Sequence, residues 1–102
     1  MTPPYYAVIF TSVRTEITEG YEEMAALMEK LAKEQDGFLG VESARNEIGI
    51  TVSYWRDLES IKKWKQQTDH LQAQQKGRAV WYKNYTTRIA LVEREYSFER
   101  ES

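Results

Sequence analysis

The chain has 102 residues, 41% of them hydrophobic, with no cysteine and a formal net charge of −2. That length suits one domain with one core, and the hydrophobic fraction argues against disorder, while no apolar run approaches the roughly 20 residues that span a bilayer. The lack of thiols excludes disulfides, thiolate metal sites and thiol nucleophiles, and the acidic balance gives no general attraction to nucleic acid or anionic lipid. Small molecules or other proteins are the expected partners, with no nucleic acid and no membrane. The opening "MTPPYY" has no basic stretch followed by an apolar segment and a cleavage site, so a cytoplasmic location is expected. Residues 1–102 read as a single domain, with 1–4 and 99–102 as loose termini.

In chain order, "YYAVIFTSVR" predicts a strand over residues 5–14 whose two faces are both apolar: Tyr6, Val8 and Phe10 on one, Tyr5, Ala7, Ile9 and Val13 on the other. Thr18 is the expected N-cap of a first helix, with Glu19, Glu22 and Glu23 where the helix dipole favours carboxylates. Tyr21, Met24, Met28 and Leu31, with Ala25 and Ala32, make its apolar stripe, and the helix ends near Glu34. "DG" at 36 and 37 supplies the turn out of it. "FLGVESAR" and "GITVSYW" follow as two strands joined at "NEIG". Asp57 is placed to cap a second helix on which Leu58, Ile61 and Trp64 share a face. That helical region is expected to break near "QTDH", to resume through "DHLQAQQKGRAVWY", and to give way to a final strand over "TTRIALVEREYSF".

The predicted order is βαββαβ, the α+β, ferredoxin-like arrangement of one antiparallel sheet with both helices on one face. Yet the first and last strands are apolar on both faces, so one sheet face has no cover within the chain. A second copy laid sheet against sheet supplies it, and a homodimer is expected, with Tyr6, Val8 and Phe10 as the interface row.

The element order, the "YWRDLESI" between strand three and helix two, the following Trp64, and "TDHL" resemble the antibiotic biosynthesis monooxygenase (ABM) family over nearly the whole chain, residues 5–96. The resemblance implies a dimeric α/β barrel with a small pocket in each subunit between helices and sheet. Members of that family include cofactor-free oxygenases acting on polycyclic phenols and quinone precursors, haem-degrading enzymes, and proteins of no known activity.

His70, the only histidine, matches the histidine that commonly opens the equivalent family helix. Two readings stand: a helix cap or backbone hydrogen-bond partner, and a pocket base. Trp64 resembles the pocket tryptophan of the haem-degrading branch, and its indole offers a flat apolar wall with one N–H donor; core packing is the alternative. Trp55 reads as core or interface. Trp81 and Tyr82 either close the pocket or pack on the final strand. The haem-degrading relatives place their axial histidine ten residues after that tryptophan, where this chain has Gln74, and an asparagine late in strand one, where it has Val13. Haem is therefore not expected, and Gln74 and Val13 join Trp64, Trp81 and Tyr82 as expected substrate contacts.

No cofactor and no metal are expected, since one histidine among scattered carboxylates has no ligand spacing and no glycine-rich phosphate loop occurs. The RNA-recognition motif shares the topology, but "GITVSYW" lacks its Lys/Arg-Gly-aromatic pattern. The expected activity, as the resemblance implies it, is cofactor-independent oxygenation of a small phenolic or quinol-like aromatic substrate with His70 as base. A non-catalytic, small-molecule-binding or stress-associated dimer is the alternative.

Overall fold

The computed structural model describes residues 1–75 and 78–101, without the side chains of 72–75, 78 and 79. Strand β1 spans Tyr5–Arg14, as expected, and β2 (Phe38–Arg45) and β3 (Gly49–Trp55) form the expected hairpin. Helix α1 covers Tyr21–Lys33, α2 Leu58–Gln75, α3 Arg78–Trp81, and β4 Tyr82–Val92. The strands lie in the order β2-β3-β1-β4, every neighbour antiparallel. This is the expected α+β, ferredoxin-like sheet.

Three boundaries differ from expectation. Gly20, not Thr18, is the N-cap of α1, in a left-handed conformation, while the Thr18 carbonyl accepts from the Tyr21 N–H at 3.0 Å. Helix α2 runs unbroken through "QTDH", where Lys65 Nζ pairs with Asp69 one turn on at 2.9 Å and the Thr68 hydroxyl donates back to the Lys65 carbonyl. Both polar side chains are satisfied within the helix instead of opening it. Strand β4 begins at Tyr82 opposite Arg14, one bulged residue, Lys83, standing between it and the Val13–Asn84 pair, and it ends at Val92 opposite Tyr5. Beyond Val92 there is no β1 residue left to pair, so the expected strand through Phe98 stops there.

The register assigns the two sheet faces. Tyr6 pairs with Trp55 and Leu91, Val8 with Ser53 and Ile89, and Phe10 with Thr51 and Thr87, so these residues share a face. Trp55, fully buried, stacks on Trp64 of α2 at 5.8 Å between centroids, which makes this the helix-covered face. The expected interface row of Tyr6, Val8 and Phe10 is thereby corrected: it lies beneath the helices. The face without helices carries Tyr5, Ala7 and Ile9 of β1, Ile50, Val52 and Tyr54 of β3, and Ala90 and Val92 of β4. At one end of it Glu95 accepts a hydrogen bond from the Tyr5 hydroxyl, which pushes that phenol up to about 12.

The core is small and aromatic. Trp55 meets Phe38 edge-on at 5.5 Å and donates from Nε1 to Ser53 Oγ at 2.8 Å. On α2, Ile61 is buried and Trp64 half-buried, but Leu58 is 52% exposed and leaves the stripe expected of it.

Asp57 caps α2 as expected, accepting from the Ser60 backbone N–H at 2.8 Å and the Ser60 hydroxyl at 2.7 Å. Those two bonds, the hydroxyl's first, lower its carboxyl from 3.8 to about 2. A carboxyl depressed by folding stabilises the native state above its unfolded value and loses that contribution as pH falls through the folded one. Asp57→Ala should therefore melt several degrees below the parent above about pH 5, with the gap closing between about pH 4 and pH 2. Thermal melts of both proteins across that range provide the check.

Candidate functional site

Between the helices and the covered sheet face lies a cavity of about 650 Å³, within the size range of small-molecule sites. Its floor comes from alternate strand residues: Val8 and Phe10 of β1, Val41, Ser43 and Arg45 of β2, Thr51 and Ser53 of β3, and Tyr85, Thr87 and Ile89 of β4. One wall is the α1 stripe expected from its spacing, including Tyr21, Met24, Ala25 and Met28. The other is α2, through Ile61, Trp64, Lys65, Thr68 and Asp69, the i, i+3, i+4, i+7, i+8 pattern of one helical face.

Trp81 and Tyr82 close one end. The Trp81 carbonyl accepts from the Thr15 N–H at 2.8 Å and Arg14 Nε at 3.2 Å, and its indole Nε1 donates to the Glu19 carbonyl at 2.8 Å. These bonds tie α3 to the connection between β1 and α1. Tyr82, Tyr85 and Phe10 form a cluster with centroids 5.3 to 5.8 Å apart, and Tyr21 meets both Trp81 and Tyr82 edge-on. Burial, and then a hydrogen bond with Tyr21, raise the Tyr82 phenol well above its ordinary value. It remains a neutral hydroxyl at working pH, a donor and not a base.

The expected contacts divide. Trp64, Trp81 and Tyr82 line the cavity. His70 does not: it is exposed, and at 100° per residue it falls nearly opposite the middle of the α2 stripe set by Ile61, Trp64 and Thr68. The unbroken helix is what carries it there. Val13 is also misplaced by expectation, since strand alternation turns it from the cavity floor between Ser12 and Arg14. Gln74 belongs to α2, but its side chain lies outside the described residues.

The polar part of the floor was missed. Ser43, Thr51 and Ser53 present hydroxyls from facing positions of β2 and β3, and Arg45 adds a guanidinium at the end of β2. The signal was available as the period-two polar spacing in "SAR" and "TVS". Among the described residues there is no group of three metal-ligating side chains, and no helix is long and apolar enough to cross a membrane.

Residues 9–97 match the family model described as monooxygenase af470-like. The chain belongs to that ABM-type monooxygenase family. An uncharacterized protein of Bacillus subtilis (strain 168), YqjZ, is 52% identical over 99 residues, covering 95% of this chain and 87% of the relative. SnoaB of Streptomyces nogalater, a cofactor-independent oxygenase, superposes with a TM-score of 0.69 at 14% identity over 96% of this chain and all of the other. A protein of Nitrosomonas europaea described as a candidate antibiotic biosynthesis monooxygenase gives the same TM-score at 13% identity, over 90% and 94% of the two chains. At those identities the two structures share the fold of this ABM-type chain.

Proposed function

We propose that this ABM-type chain is a cofactor-independent monooxygenase acting on a small phenolic or quinol-like aromatic substrate held in the cavity between helices and sheet. The observation that carries the reading is the cavity: aromatic walls at Trp64, Trp81, Tyr82 and Tyr85, over a floor with hydroxyls at Ser43, Thr51 and Ser53. Flat apolar walls orient a ring system, and the hydroxyls hold its oxygens. The reaction needs little more from the protein. A substrate CH₂ activated by a neighbouring carbonyl or phenol loses a proton, the resulting anion reduces dioxygen, and the CH₂ becomes a carbonyl with release of one water. Orientation and exclusion of solvent are the chain's contributions. The position of His70 on the outer side of α2 supports a proton acceptor other than this imidazole; the carboxylates that line the cavity are Glu29 and Asp69.

The same position of His70 favours a second reading, binding without turnover. Dimerisation belongs to both: the helix-free face, with Ala7, Ile9, Val52 and Ala90 at its middle, is the surface that a second copy covers.

Oxygen uptake with a panel of hydroxyanthrones, whose central-ring CH₂ can become a carbonyl, corrected for the protein-free rate, separates the readings. Turnover is expected for at least one. Ala25 lines the cavity and is exposed, so Ala25→Trp fills the space without uncovering the core. That variant should lose on the order of tenfold or more of the uptake, while its melting temperature stays within about 5 °C of the parent. Ligand binding abolished by Ala25→Trp, with no uptake by the parent, would establish the second reading.

A further inference from the structure

Four residues on the covered face stand in one row across the sheet: Arg45 of β2 pairs with Gly49 of β3, Gly49 with Ser12 of β1, and Ser12 with Tyr85 of β4. The Arg45 side chain lies along this row. It crosses the strand at Gly49, where a Cβ would stand 2.0 Å from Nη2 and 2.1 Å from Cζ, and its Nη2 donates to Ser12 Oγ at 2.6 Å. Only glycine leaves that trough open. Ser12 is 1% exposed, so its hydroxyl is a fixed anchor.

The arrangement holds a cation on the cavity floor without neutralising it. Among the described residues neither Arg45 nor Arg14 is paired with a carboxylate. Arg14 adds a second positive charge at the same end, its guanidinium 3.4 Å above the centre of the Tyr21 ring. Arg45 lines the cavity with Tyr82 and Tyr85, and Arg14 lies over Tyr21, so both charges stand at its aromatic end. A guanidinium has five N–H donors, and Ser12 takes one of Arg45's. An exposed fork of donors, anchored by one bond to Ser12 and paired with no carboxylate among the described residues, beside a flat aromatic wall fits a planar ligand bearing an anionic oxygen.

We infer that Arg45, held in place by Gly49 and Ser12, is the anion-binding group of the cavity, and that its ligand is an aromatic molecule bound through a phenolate, enolate or carboxylate oxygen. The inference rests on the reading of the cavity as a ligand site and adds the charge of what enters it. In the oxygenation proposed above, Arg45 holds the substrate in its deprotonated form, the form that gives an electron to dioxygen.

The test compares two probes of nearly equal shape, 2-naphthoate and 2-naphthamide, by calorimetric titration of the full chain near pH 7.5. The parent should bind the anion more tightly, on the order of tenfold. Arg45→Gln should reduce that ratio to below about threefold, and Gly49→Ala, which keeps the charge but fills the trough, should do the same. Arg45→Lys, a cation without the planar fork, should keep part of the preference. Equal affinities in the parent, or an Arg45→Gln variant that keeps the full ratio, would overturn the inference. If naphthamide binds and Ala25→Trp abolishes that binding, the cavity reading survives such a result. Failure of both probes to bind overturns the two together.

Discussion

Gly37→Ala should lower the melting temperature by roughly 15 °C, through a loss of about 3 kcal/mol. Gly37 has φ 90°, a left-handed conformation that costs an L-residue about 1–2 kcal/mol. A Cβ there would stand 2.1 Å from Ser60 Oγ and 2.7 Å from Ser60 Cβ. Ser60 is buried and its hydroxyl is bonded to Asp57 at the start of α2, so it has nowhere to go. Overpacking of that kind typically costs about 1–3 kcal/mol, and it adds to the backbone term. The same turn also receives the Arg56 N–H on the Gly37 carbonyl at 2.8 Å, so a shift there moves the entry of α2 as well. Gly40→Ala is the control, because its Cβ would meet Tyr54 at an ordinary 3.9 Å and should change stability by less than about 1 kcal/mol. A melt of Gly37→Ala within about 4 °C of the parent would refute the account. Measured against Ser60→Gly alone, which carries its own cost in the α2 cap, Gly37→Ala should lose only the backbone part.

Ile9→Glu should convert a dimer to a monomer, with the mass in sedimentation falling from twice 12.0 kDa to 12.0 kDa. Ile9 lies on the helix-free face between Val52 of β3 and Arg88 of β4. In a two-fold dimer through that face each substitution is made twice, and taking each carboxylate out of water costs several kcal/mol, which a cross-strand pair with Arg88 offsets only in part. Since about 1.4 kcal/mol is a factor of ten, dissociation should strengthen by at least roughly a hundredfold. Circular dichroism and retained binding of 2-naphthamide distinguish dissociation from unfolding. Val8→Thr, on the cavity floor, should leave the mass unchanged. A parent that sediments as a monomer, or an Ile9→Glu variant that stays dimeric at micromolar concentration, would remove the helix-free face as the interface.

The element order, the β2–β3 hairpin, the capping role of Asp57 and the apolar stripe of α1 were legible because each depends on neighbours a few residues away. Asp57 sits just before a helical pattern, and Met24 and Met28 repeat at one turn. The need to cover both faces of β1 was equally plain from "YYAVIF". Which face the helices take was not. A strand apolar on both sides carries no local mark of inside and outside, and a one-residue change of parity exchanges Val8 and Phe10 for Ala7 and Ile9. Only the packing of Trp55 against Trp64 decides it.

His70 and Arg45 show the same division at the site. From "TDHL" the sequence supplied a chemically apt residue and a plausible break, but local bonds at Lys65, Thr68 and Asp69 keep α2 continuous. Rotation by 100° per residue then turns His70 outward. Arg45 carries no local signal of its role, since nothing within a few positions names its partner. Ser12 lies 33 residues away and becomes its neighbour only when β3 places a glycine between them. The sequence by itself determined the order of the elements, because that follows from periodicity; the tertiary structure alone decided which polar groups enter the cavity between them, because strand register and helix phase are set by the packing of distant residues.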